Sequence, residues 1–256
     1  MTSISGYSMI ATTCCHTLYS TPRFRSMNFS AWAHWTDGHQ EGALMHGGGG
    51  LRKCKCGDFY LLSETVSLGF DAEPDTPHTQ HIEAVDLAHA VRSKNKAVEL
   101  VARRQYWMFL NHGYRDKYRE HRDAEDKASQ EKWTSDWHAA NPNKNLAWNK
   151  LTDWIMRRKP AEPPPMLDKP FSVPSYQPTQ LQIENMALLL ELILDGHHEK
   201  YGPDMLEVAE LYREQGLFNA ATKALNQCPE NDRGTPNKVM QQMIEEAVIA
   251  PVRYRM

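Results

Sequence analysis

The stretch Lys53-Cys54-Lys55-Cys56-Gly57-Asp58-Phe59 sets two thiols on a turn, and Gly57 lets the backbone fold back into the strand-like run Phe59 to Leu62. The flanking Lys53 and Lys55 favour the thiolate form. A second pair, Cys14-Cys15, followed by His16, lies upstream, with 38 residues between Cys15 and Cys54. Four of the five cysteines therefore fall in two tight pairs within the first 56 residues. In a chain expected to be intracellular, such pairing argues for metal and against a disulfide framework.

A structural zinc ion takes four soft or borderline ligands in a tetrahedron, commonly as two pairs from two turns that face each other. Cys14, Cys15, Cys54 and Cys56 are the expected ligands. Neighbouring residues of an extended chain point in opposite directions, so two sets remain open for the first turn: both thiols, or one cysteine together with His16. A redox pair would be expected as Cys-x-x-Cys opening a helix, whereas a strand-like run follows Cys56. The second turn resembles the knuckle of a zinc ribbon. That resemblance implies a small β module over residues 1–72, stapled by zinc, with a long insertion carrying Trp32, Trp35 and the run Gly47 to Gly50.

Phe29 to Trp35 alternates loosely before Thr36-Asp37-Gly38, and with Phe59 to Leu62 it is expected to form short strands. The glycine run has no helix start and no Lys-Ser/Thr pair after it, so it is a loop tip and not a phosphate cradle. Composition changes between Gly69 and Pro77, and charged helix formers dominate from there. The expected fold class is α+β, a small β module followed by a mainly helical body: helices over 78–158, a proline-rich linker or strap over 159–180, and helices again over 181–256. Ala97, Val98, Val101, Gln105, Met108 and Phe109 make a helical stripe with Gly113 as the expected C-cap. A polar helix follows, with aromatic pairs Tyr114/Tyr118 and Trp133/Trp137. Trp148, Leu151, Trp154 and Ile155 mark another helix, and seven of the fifteen prolines then fall between Lys159 and Gln180.

Ile183, Met186, Ala187, Leu190, Ile193 and Leu194 define a core helix. After Gly202-Pro203, two short helices are expected about Gln215-Gly216. Ala209 and Tyr212, Gly216, then Phe218, Ala221 and Leu225 resemble one tetratricopeptide helical hairpin over about 25 residues. No second copy follows at the repeat interval. A lone copy does not make a peptide-binding superhelix, and helices 181–198 and 236–250 are expected to pack around it. Cys228 reads as a small buried residue.

The net charge is -3 and the isoelectric point about 6.5, which removes the bulk attraction to nucleic acid phosphates. No stretch approaches the roughly 20 apolar residues of a spanning helix, no lysine or arginine precedes Arg23, and a cytoplasmic location without membrane contact is expected. His78/His81 and His197/His198 read as helix-end residues, and no Ser/His/Asp or paired-carboxylate arrangement is discernible. The expectation is a non-enzymatic, zinc-stabilised scaffold that binds another protein. The alternative is nucleic-acid binding, with Arg23, Arg25, Arg52, Lys53 and Lys55 on phosphates.

Overall fold

The computed structural model describes residues 3–26, 31–42, 50–69, 71–140, 175–195, 204–229 and 234–254. The chain is α+β: small antiparallel sheets lie in the N-terminal part and helices make up most of the rest. Two compact units are present, one formed by residues 1–112 with 175–256 and the other by 113–174. The second unit is described as far as a helix over His112–Ala140, in which the rings of Tyr114 and Tyr118 lie 6.1 Å apart, tilted by 52°. The helix expected around Trp148 to Ile155, the strap as far as residue 174, His197-His198 and Gly47 to Gly49 lie outside the described residues.

The first unit begins with a hairpin of β1 (Ser3–Ala11) and β2 (Leu18–Ser26), paired from Ser3↔Ser26 to Ala11↔Leu18. Neither strand stands out in the sequence, because Ser, Thr and Gly interrupt the apolar alternation. A second sheet joins β3 (Ala31–Trp35) and β4 (Gln40–Gly42) to the C-terminal strand, Arg253–Tyr254. A third pairs β5 (Leu51–Lys53) with β6 (Phe59–Leu61), and β7 (Val66–Gly69) then returns along β1.

Helix α1 (Ala84–Ala90) opens with a capping box in which the Glu83 and Asp86 side chains accept from each other's backbone N–H. Helix α2 (Lys96–Leu110) is capped by the Asn95 side chain, which accepts from the backbone N–H groups of Ala97 and Val98. Gly113 is not the C-cap of this helix. Asn111 is, and it is held by side-chain bonds that a glycine could not make.

Leu51 and Leu61 of the third sheet share a core with Leu87 and Ala90 of α1 and Val98 and Ala102 of α2. The β module therefore packs on the first helices. A larger core gathers Leu100 and Trp107 of α2, Met186, Leu189 and Ile193 of Gln180–Asp195, Val208 and Leu211 of Met205–Glu214, and Met240 of Thr235–Glu245. Helices Met205–Glu214 and Phe218–Leu225 form a helical hairpin about Gly216, whose φ of 75° is the left-handed conformation that ends the first helix.

Candidate metal centre

The loop between β1 and β2 and the loop between β5 and β6 are built alike. In the first, the Thr12 N–H donates to Thr17 O at 3.0 Å and the His16 N–H to Thr12 O at 3.0 Å. In the second, the Cys54 N–H donates to Asp58 O at 2.8 Å and the Gly57 N–H to Cys54 O at 2.9 Å. Each closes on a residue with positive φ, 54° at His16 and 96° at Gly57. The loops differ by one residue: Thr12 to Thr17 matches Cys54 to Asp58, with Thr12 in the place of Cys54 and Cys15 in the place of Cys56.

The sulfurs of Cys14, Cys15, Cys54 and Cys56 all lie within 4.8 Å of one another. Cys15 Sγ is 3.5 Å from Cys54 Sγ, Cys14 Sγ is 3.6 Å from Cys56 Sγ, and Cys14 and Cys15 are 4.0 Å apart. Four thiolates at the zinc–sulfur bond length around one ion stand about 3.8 Å apart, so the set could hold a metal ion. Cys14 and Cys15 turn the same way because residues 13–15 form a turn and not a strand, which removes the opposition expected of neighbours in an extended chain. His16 is exposed and lies outside the cluster.

Cys14, Cys15 and Cys56 are exposed, whereas Cys54 is buried in a small core with Ile10, Tyr19 and Tyr60. Tyr19 Oη accepts the Lys55 N–H at 2.8 Å and donates to Cys54 Sγ at 3.8 Å. Thr12 Oγ1 accepts the Thr17 N–H at 3.1 Å and lies 3.9 Å from Cys15 Sγ and 3.8 Å from Cys54 Sγ. Sequence reasoning missed both hydroxyls. Without a cation the thiols divide: the Thr17 hydroxyl, 3.0 Å away, brings Cys15 down to about 6, while Cys14, exposed as a residue, is pushed up to about 12 by partial desolvation of its thiol among the other sulfurs and by neighbouring Cys54 and Cys56. A bound cation compensates the charge that prevents all four from ionising together.

Of the five basic residues considered for phosphate contact, three are engaged elsewhere. Arg52 is buried and donates to Leu51 O, Lys53 pairs with Asp86 at 2.7 Å, and Arg23 stands 3.8 Å from Asp71. His78 Nδ1 lies 2.7 Å from Ser20 Oγ in a bridge that lays residues 76–79 along β2, so it has a structural partner. Trp35 is 1% exposed and donates to Glu41, as expected of a packed tryptophan, while Trp133 is exposed.

A second polar cluster, also missed from sequence, lies inside the helical part. Glu214 accepts from Trp107 Nε1 at 3.0 Å and from Asn111 Nδ2 at 3.2 Å, and the same amide nitrogen reaches Asp37 at 3.2 Å. Arg213 forks onto Glu210, and Gln182 and Tyr176 hold Asn111 Oδ1 at 2.9 Å. Burial, with Glu210 and Asp37 nearby, holds the Glu214 carboxyl well above the usual carboxylate range. Every polar end here meets another, so the cluster ties the Asp37 turn to the helices.

No protein family, curated protein or solved structure matches the chain. No helix among the described residues is long and apolar enough to cross a membrane.

Proposed function

We propose that this protein is a non-enzymatic scaffold whose β module is stapled by one structural zinc ion and binds another protein. The observation that carries it is the convergence of four cysteine sulfurs from two facing loops within 4.8 Å. An all-thiolate set selects zinc or iron over hard cations, and among first-row ions zinc suits a closed structural site free of redox chemistry. Four protein ligands leave no open coordination position for a substrate, which supports a structural and not a catalytic ion.

The paired loops support the zinc-ribbon-like reading of the module. The helical hairpin about Gly216 supports the tetratricopeptide-like reading of the C-terminal part, as a single unit packed within a core and not an array. Protein binding is supported by the apolar surface of the β1, β2 and β7 sheet, where Ile4, Tyr7, Leu18, Val66 and Leu68 are each at least 38% exposed. Burial of Arg52 and pairing of Lys53 weigh against nucleic acid.

Metal analysis of the purified chain tests the staple: about one zinc per chain, lost in C54S and C56S, is expected. Binding of a partner that survives in wild type but not in V66D/L68D, with zinc content unchanged, tests the surface. A chain that carries no zinc when purified under reducing conditions removes the reading.

A further inference from the structure

We propose that Thr12 is a positioning residue of the metal centre: its side chain stands at the place that a thiolate takes in the matching loop, and its hydroxyl holds the sulfurs of Cys15 and Cys54. The inference rests on the reading of the four thiols as a metal site, and goes beyond it by naming a group that is not a ligand. Three observations carry it.

The first is the backbone correspondence. Thr12 and Cys54 each donate an N–H across the loop, to Thr17 O and Asp58 O, and each accepts from the residue with positive φ, His16 and Gly57. A side chain leaves Thr12 where one leaves Cys54. The second is burial: Thr12 is 1% exposed, although the neighbouring residues 13–16 are all exposed. A buried hydroxyl at the tip of a hairpin needs partners. The third is the direction of its hydrogen bonds. Thr12 Oγ1 accepts from the Thr17 N–H at 3.1 Å, and its single proton has only sulfur within reach on the other side: Cys54 Sγ at 3.8 Å and Cys15 Sγ at 3.9 Å, which as thiolates can only accept, one at a time.

The loop departs from the regular ribbon pattern for a reason that follows from this. With threonine in the first ligand place, the fourth thiol comes from Cys14, carried inward by the one extra residue of the loop. Thr12 then acts as the groups behind metal ligands commonly do, fixing their orientation and easing their negative charge.

The test uses the full chain loaded with zinc or with cobalt(II), whose charge-transfer and ligand-field absorption reports the number and arrangement of thiolates. T12V keeps the shape and removes the hydroxyl, and T12S keeps the hydroxyl. Zinc retention against a chelator is expected to fall about 10- to 100-fold in T12V, with a shifted cobalt spectrum, and to return in T12S. C14S loses the four-thiolate spectrum, and T12C in that background restores it by returning four thiols at positions 12, 15, 54 and 56. Wild-type retention and spectrum in T12V overturn the role of the hydroxyl, and a T12C/C14S chain that stays three-thiolate overturns the positional match. A wild-type chain that binds neither ion overturns the metal reading itself, which separates that failure from the other two.

Discussion

Cys15 Sγ and Cys54 Sγ lie 3.5 Å apart, one at an exposed hairpin tip and the other inside a small apolar core. The pair thus joins the rim of the cluster to the packing beneath it. A metal held there ties the β1–β2 hairpin to the β5–β6 hairpin, and the latter is already anchored on α1 and α2 through Leu51 and Leu61.

Chelation is therefore expected to act unevenly. Amide exchange over 3–26 and 50–61 rises on the order of tenfold or more when the metal is stripped, while helices built on Leu189, Ile193 and Leu211 keep their protection. Hydrogen-exchange mass spectrometry with and without chelator reads this directly. C54S and C56S both lose the metal, but C54S costs about 1–3 kcal/mol more, because a serine hydroxyl replaces sulfur in an apolar site. Equal protection of the two hairpins in both states would contradict the staple.

Stripped of metal and exposed to peroxide, the cluster is expected to close as Cys14–Cys56 and Cys15–Cys54. These sulfurs stand at 3.6 and 3.5 Å and need small movements to reach a disulfide bond of about 2.05 Å. Each bond takes two thiols and one peroxide to a disulfide and two waters. The adjacent pair Cys14–Cys15 stands at 4.0 Å, and its disulfide would close a strained ring through one peptide unit. Peptide mapping separates the two patterns, and a dominant 14–15 bond would show that the turn does not hold its geometry.

The parts of this fold that were legible are those whose signal is local. Cys54-Lys-Cys-Gly57 announces its turn because glycine supplies the φ of 96° that the loop requires, and Met205 to Leu225 announces a helical hairpin for the same reason at Gly216. The first cysteine pair was half legible. Its two thiols converge through a turn whose closing residue, His16, gives no such sign of a positive φ. Long-range pairing left no trace at all: Arg253 meets Trp35, and Tyr254 meets His34, only because the helices between return the chain there. Glu210, Arg213 and Glu214 have the spacing of a solvated charged face, yet all three are fully buried. Their partners Trp107, Asn111 and Asp37 come from distant segments, so no window on the sequence contains the reason.

That buried cluster is expected to make stability fall as pH rises. The Glu214 carboxyl has a folded value above its unfolded one, for it is buried and faces Asp37, Glu210, Arg213 and Tyr176. Its contribution is complete below about 4.5 and is lost as pH rises through the folded value, where the carboxylate must form beside Asp37 and Glu210. E214Q keeps the shape and the acceptor for Trp107 Nε1 and removes the proton. Urea denaturation of wild type between pH 5 and 9 is expected to show a declining stability that E214Q flattens. An identical slope in the variant would mean that Glu214 does not titrate in the folded state.

Asp86 has the opposite sign. Lys53 Nζ, 2.7 Å away, holds its carboxyl below the usual range, and the same carboxylate accepts the Glu83 N–H at the start of α1. A depressed folded value contributes stability above the unfolded value of 3.8, and that stability is lost as pH falls through the folded value. Lys53 is 40% exposed, so salt screens part of the pairing and the cap carries much of the effect. D86A is expected to cost about 1 kcal/mol at neutral pH, and K53M less. Both variants should share a flatter acid limb than wild type in thermal melts between pH 2 and 5. Because Lys53 immediately precedes Cys54 and Asp86 stands in the first turn of α1, loss of this pair also loosens the second loop on its support. Faster zinc release from K53M, with an unchanged cobalt spectrum, is the signature expected of that link; release at the wild-type rate would confine Asp86 to capping its own helix.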